Sequence, residues 1–169
     1  MQKQQINIQH FRTPFGELIL GDFENQLCLC DWHHRKMRKT IDLRIQNGLN
    51  AAYEIQDTQV IRTAKQQLEE YFSKERMHFD VPILLVGTEF QKRVWNELRQ
   101  ISYGKTTSYS AISERINNSK AVRAVASANG ANAISIIIPC HRVIGKSNQL
   151  VGYAGGIATK QQLLNLENN

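Results

Sequence analysis

Ile134-Ser135-Ile136-Ile137-Ile138-Pro139-Cys140-His141-Arg142-Val143 is the stretch on which the reading of this chain turns. Its apolar, β-branched residues predict a short buried strand that runs into a proline, with a cysteine directly after it. Pro139 holds φ near ~−65° and has no N–H to donate, so strand pairing ends there and the next residue is held rigidly. A lone cysteine at a strand end is most simply a small structural core residue. Here its company argues for chemistry, because a histidine and an arginine beside a thiol favour thiolate, the nucleophilic form. In an extended segment neighbouring side chains point to opposite faces, so Cys140 and His141 share no direct hydrogen bond unless the chain turns between them. The pattern predicts a thiolate nucleophile whose proton leaves through a bridging water or a local turn. His10, His33, His34 and His78 remain open as other partners.

Composition narrows the class. The chain has 169 residues, 41% of them hydrophobic, which suits one large globular domain or two small ones. No run approaches the ~20 apolar residues of a membrane span. The opening Met1-Gln2-Lys3-Gln4-Gln5 is polar and lacks the apolar core of a secretory signal. Three cysteines are too few for a disulfide scaffold, and a reducing cytoplasm is the expected location. Residues 1–85 carry eleven Lys+Arg and eleven Asp+Glu, whereas residues 86–169 carry ten and four, so the whole net charge of +6 lies in the second half. A basic half beside a neutral one points to a polyanion, most simply nucleic acid.

The first half predicts a small antiparallel sheet. Residues 6–11 alternate, Thr13-Pro14-Phe15-Gly16 is a turn, residues 18–20 resume as a strand, and Asn25 marks a second turn before residues 27–32. Residues 33–56 read as loop with short elements. A helix follows from about Thr58, with Ile61, Ala64, Leu68 and Phe72 as its stripe. Phe79-Asp80-Val81-Pro82 leads to the boundary between a domain of residues 1–84 and one of residues 85–169. In the second, Thr88 and Gln91 form a capping box ahead of a stripe of Phe90, Val94, Leu98 and Ile101. Two short helices follow, about residues 108–116 and 120–128, joined by a polar turn at Asn117-Asn118-Ser119. This is the outline of a helix-turn-helix. The second helix is lean, with Ala121, Ala124, Ala126 and Ser127, and past Lys120 at its start Arg123 is its one long charged side chain. Such a helix suits either tight packing on a neighbour or close approach to a nucleic-acid backbone.

Arg123-Ala124-Val125, Asn132 and Pro139-Cys140-His141-Arg142-Val143-Ile144 closely resemble the 6-O-alkylguanine-DNA alkyltransferases, also called methylated-DNA–protein-cysteine methyltransferases. The likeness extends through Phe90-Gln91, Val94-Trp95, Tyr103-Gly104, Ser108-Tyr109, Gly152-Tyr153-Ala154-Gly155-Gly156, and Leu163-Leu164 with Glu167. It covers residues 85–168. The resemblance implies a ribonuclease-H-like α/β first domain with a small antiparallel sheet, and a mainly α, winged-helix-like second domain carrying the helix-turn-helix. It also implies a monomer acting on double-stranded DNA that contains alkylated guanine, with 4-O-alkylthymine a second candidate substrate, and with no cofactor, metal or membrane.

The resemblance further assigns roles. Cys140 is implied to be the permanent alkyl acceptor, His141 its base through a water, and Glu167 the group that orients and charge-balances His141. Asn132 is implied to hold the local turn, and Tyr109 to help rotate the nucleotide and protonate the departing guanine. Arg123 is implied to fill the gap in the base stack, with Ala124, Ala121, Ser110 and Ser127 along the DNA-facing surface. Val151, Tyr153, Ala154 and Ser135 are implied to border the alkyl pocket. A base cannot be attacked inside the duplex, so extrusion is a physical requirement, and small residues on the helix suit a minor-groove approach. The transfer forms a thioether with no ready reverse route, so each molecule acts once.

Two rival readings belong to other classes. A non-catalytic lesion sensor is expected to lack the nucleophile, which Cys140 argues against. A thiol hydrolase unrelated to DNA is expected to turn over and to ignore Arg123. Separately, Cys28 and Cys30 with His33 and His34 form a zinc-like constellation, for which a pair of small core residues at a strand end is the preferred reading.

Overall fold

The computed structural model describes residues 3–169; Met1 and Gln2, the start of the polar opening segment, lie outside them. The chain divides into two compact units, Met1–Gly87 and Thr88–Asn169.

In the first unit, β1 (Gln4–Thr13), β2 (Gly16–Phe23) and β3 (Gln26–Trp32) form consecutive antiparallel pairs. Glu24 and Asn25 make the second turn with φ of 50° and 65°, the left-handed pair whose twist matches that of the flanking strands. Residues 33–56 are not loop. They hold α1 (Arg38–Leu49) and β4 (Ala51–Ile55), and β4 pairs with β1 in parallel, so the sheet runs β3-β2-β1-β4 and is mixed rather than antiparallel. The local signal is faint because α1 buries only Ile41 and Ile45 and has no side-chain N-cap bond. Its companion α2 (Gln59–Phe72) is well marked, since Thr58 Oγ1 accepts from the Ile61 N–H at 3.2 Å. Ile61, Ala64 and Leu68 are buried as predicted, and Tyr71 rather than Phe72 completes the stripe.

The second unit opens with the capping box. Thr88 Oγ1 accepts from the Gln91 N–H at 3.1 Å, and Gln91 Oε1 accepts from the Thr88 N–H at 2.9 Å, starting α3 (Glu89–Leu98). The Trp95 indole N–H donates to the Ala128 carbonyl at 2.8 Å and ties α3 to α5 (Val122–Gly130). Between them α4 (Tyr109–Arg115) is capped by Ser108 and ends before Asn117, whose φ is 58°. A two-residue β5 (Thr107–Ser108) pairs in parallel with β6 (Val143–Ile144), and α6 (Ile157–Asn168) buries Leu163, Leu164 and Glu167. No helix among the described residues is long and apolar enough to cross a membrane.

The strand expected over residues 134–138 is a turn. Ile136 has φ of 71°, and the Ile138 N–H donates to the Ile134 carbonyl at 2.9 Å. A β-branched residue at positive φ is a true outlier, held only where its surroundings over-determine it. Burial supplies that constraint: Ile134, Ile136 and Ile138 are at most 2% exposed. The run is apolar because it is buried; its pairing is limited to isolated bridges such as Ser135–Ile138.

Candidate active site

Asn132 builds the floor of the site. Its amide N–H donates to the Ile138 carbonyl at 2.9 Å and its carbonyl accepts from the Ile134 N–H at 3.0 Å, closing the turn from inside. Pro139 then leads into a single 3-10 turn, Cys140–Arg142. The expectation that Cys140 and His141 sit on an extended backbone is therefore corrected: the chain turns between them. Cys140 is 3% exposed and His141 is fully buried.

His141 Nε2 lies 2.8 Å from Glu167 Oε1 on α6. The hydrogen bonds of Arg142 go to Glu167 and to a backbone carbonyl. Its Nε and Nη2 both donate to the Glu167 carboxylate, at 2.9 and 2.8 Å, and its Nη1 donates to the Ile101 carbonyl at 2.7 Å. The Gly104 N–H adds a longer bond to Glu167 Oε2 at 3.3 Å. Gly104 has φ of 75°, and a Cβ there would meet the Glu167 carbonyl oxygen at 3.2 Å, so glycine alone fits without strain. Burial by itself would raise the Glu167 pKa; the hydrogen bonds from His141 and Arg142 outweigh it and hold the carboxyl at about 2. Burial lowers the His141 pKa below the ordinary imidazole value, against the opposing pull of Glu167. A neutral His141 beside an ionised Glu167 donates from Nε2, which makes Nδ1 an acceptor. That Nδ1 is buried and has no hydrogen-bond partner among the described residues.

Lys160 is the cation that the sequence does not reveal. It is fully buried, and its Nζ donates to the carbonyls of Val143, Val151 and Gly152 at 2.6, 3.1 and 3.3 Å. Burial lowers its pKa, and the charge of Cys140 acts in the opposite direction. Tyr109 joins the same loop, its hydroxyl donating to the Val151 carbonyl at 3.2 Å. Burial and the Cys140 charge both raise the Tyr109 pKa, which keeps the phenol protonated as a proton donor.

The remaining expected residues fall into two groups. Tyr153, half-buried, sets its ring edge-on to His141 with centroids 6.4 Å apart. Val151 is exposed, Ala154 half-buried and Ser135 fully buried within the turn. On α5, Arg123, Ala124 and Ser127 are exposed, while Ala121 is half-buried at the cap. Ser110 is half-buried on α4, its hydroxyl 3.0 Å from that of Ser108. In the first unit Cys28 and Cys30 are buried core thiols. Burial and then Asp22 push Cys28 up to about 12, and burial and then Asp31 raise Cys30 further, so both stay protonated thiols at neutral pH.

Residues 89–169 match the family model described as 6-O-methylguanine DNA methyltransferase, DNA binding domain. A methylated-DNA–protein-cysteine methyltransferase of Methanosarcina acetivorans is 42% identical over 158 residues, 93% of this chain and 95% of the relative. The same-named protein of Mycobacterium leprae is 51% identical over 165 residues, 96% and 92% respectively. The crystal structure of Mycobacterium tuberculosis OGT in complex with DNA matches with a TM-score of 0.81 and 38% identity, covering 97% of this chain and 92% of that one. The chain belongs to the methylated-DNA–protein-cysteine methyltransferase family.

Proposed function

We propose that this protein repairs DNA by taking the alkyl group from 6-O-alkylguanine onto its own Cys140, once per molecule. The observation that carries this reading is the buried His141–Glu167 pair at 2.8 Å, immediately after Cys140, with the second imidazole nitrogen left as an acceptor. The Cys140 thiol proton passes through a water to His141 Nδ1, and Glu167 stabilises the imidazolium as it forms. Thiolate sulfur attacks the alkyl carbon in line; the S–C bond forms as the C–O6 bond breaks, and the electron pair stays on guanine. Tyr109 gives guanine its proton. The scheme balances with no cofactor.

Extrusion of the lesion is assigned to α4 and α5. Arg123, exposed on α5 among small residues, fills the vacated stack, with Ala121, Ala124, Ser127 and Ser110 beside it. Val151, Tyr153, Ala154 and Ser135 border the alkyl group, and Asn132 fixes the turn beneath it. Residues 85–169 are the DNA-binding and transfer domain, and the α4–α5 pair with the small β5–β6 ladder supports a winged-helix-like reading. Residues 1–84 are the α/β domain, and the order β3-β2-β1-β4 with β4 parallel to β1 supports a ribonuclease-H-like reading. The protein works as a monomer in the cytoplasm.

The test is transfer of labelled methyl from excess duplex carrying 6-O-methylguanine. Label on protein should rise to one methyl per chain and stop. Continued turnover would support the hydrolase, and tight binding without transfer the lesion sensor.

A further inference from the structure

We propose that His10, Glu17 and His33 form a binding site for a divalent transition-metal ion, zinc(II) foremost, on the sheet of the first unit. Their candidate ligand atoms all lie within 4.8 Å of one another. The sheet itself makes the cluster. Glu17 on β2 sits two residues from Ile19, the cross-strand partner of His10 on β1, so the two side chains share a face. His33 follows β3 and donates its backbone N–H to the Glu17 carbonyl at 3.0 Å, which places it opposite Glu17 on the other side. Two imidazoles, one on β1 and one just after β3, thus converge on the Glu17 carboxylate of β2.

The side chains are turned inward to that point. His10 Nδ1 is 3.6 Å from Glu17 Oε1, and His33 Nε2 is 3.9 Å from Glu17 Oε2. Ligands of a tetrahedral zinc site are about 3.3 Å apart, given bonds of about 2.0–2.1 Å. Closing the rest, at most about 1.5 Å between the widest-spaced ligand atoms, needs rotations of partly exposed side chains. Arg12 is the direct cross-strand neighbour of Glu17, yet the close charge contacts of Glu17 among the described residues run to the two imidazoles. The His33 ring is buttressed edge-on by His10 at 4.9 Å and His34 at 4.4 Å, and its buried Nδ1 has no hydrogen bond among the described residues. Two imidazoles and one carboxylate are a borderline-soft donor set, suited to zinc, cobalt or nickel rather than calcium or magnesium. The fourth position belongs to solvent. The bound ion clips β1, β2 and the segment after β3 together, so it raises the stability of the folded chain by mass action.

Cobalt(II) is the probe, added to the untagged full chain in its Cys140→Ser form so that the reactive thiol cannot compete. The site should take up one cobalt per chain, with visible d–d absorption and no thiolate-to-cobalt charge-transfer band, and zinc should displace it. Saturating zinc should raise the melting temperature. His10→Ala, at an exposed position, and Glu17→Gln, at a half-buried one, should lose stoichiometric uptake and the melting shift while keeping a cooperative melt. His33→Ala should do the same. Native mass spectrometry of the double variant His10→Ala/Glu17→Gln after zinc addition should show the metal-free chain mass, a readout that does not depend on its stability. The proposal is overturned if the Cys140→Ser chain takes up no cobalt, if uptake survives in the double variant, or if the spectrum shows thiolate ligation by Cys28 or Cys30.

Discussion

His141 and Glu167 stand 26 residues apart in the chain and meet at 2.8 Å, Nε2 to Oε1, with neither side chain exposed. A carboxylate without partners could not stay ionised there, since desolvation would protonate it. Arg142 and the Gly104 N–H supply the missing partners, so the charge of Glu167 is settled before any substrate arrives. His141 is thereby held as a neutral base with one nitrogen committed and one to receive a proton. The pair is a pre-set acceptor, and its cost is sensitivity to acid.

That sensitivity has a defined sign. Glu167 is held at about 2 in the folded chain, below the ~4.3 of an unfolded glutamate. Its contribution, of the order of 3 kcal/mol, is present above pH ~4.3 and lost as pH falls toward 2. His141 acts earlier: its folded pKa is lowered, so below pH ~6.5 the unfolded chain takes up a proton that the buried imidazole resists, and stability falls. Denaturant midpoints followed from pH 7 to pH 3 should decline in both windows. In Glu167→Gln the lower window should flatten, and alkyl transfer at pH 7 should fall by roughly 10²-fold or more. Parallel stability curves for the two proteins would contradict the assignment.

Arg123 is exposed on α5 and takes no part in the buried cluster. Arg123→Ala should slow transfer from duplex DNA by about tenfold or more, because unstacking a base costs a few kcal/mol. Transfer from the isolated 6-O-methylguanine base should be unchanged. An equal loss on both substrates would place Arg123 in the chemistry instead.

Lys160→Met removes the donor shared by the carbonyls of Val143, Val151 and Gly152 while keeping the bulk of the stem. The expected loss is roughly 2–3 kcal/mol, as for other buried hydrogen bonds to a charged group. Tyr109 shares the Val151 carbonyl, so transfer should slow as well. A variant with an unchanged midpoint would show that the loop is held by other contacts.

How far the sequence announces this site depends on where each residue's partners lie. Thr58, Thr88 and Ser108 are legible because a cap bonds to a backbone only three residues away. Strand β1 is legible from alternation, and β2 and β3 from apolar runs beside marked turns. By contrast β4 pairs with a strand more than 40 residues earlier, and α1 shows only two buried residues, so neither leaves a local pattern. Residues 134–138 mislead because a buried β-branched run has the same composition whether it pairs as a strand or folds into a turn; the amide of Asn132 decides it. Glu167 and Lys160 look like surface residues of a terminal helix, and only their partners, 25 and 17 residues away, show otherwise. Family resemblance alone singles out Glu167; nothing in the sequence points to Lys160.

Methylated protein should be less stable than unmodified protein. Cys140 is 3% exposed in a close-packed turn, so a methyl on sulfur overfills its surroundings at about 1–3 kcal/mol. Thermal melts before and after reaction with lesion DNA should differ by several degrees, with the methylated form lower. Superimposable melts would mean that the turn yields without strain.

The most direct test of the central claim is the intact mass of the protein after incubation with duplex DNA carrying one 6-O-methylguanine, beside Cys140→Ser. The wild type should gain the mass of one methylene, mapped to the peptide containing Cys140, and the variant should gain none. An unmodified wild type, or a methyl found on any other residue, would contradict it.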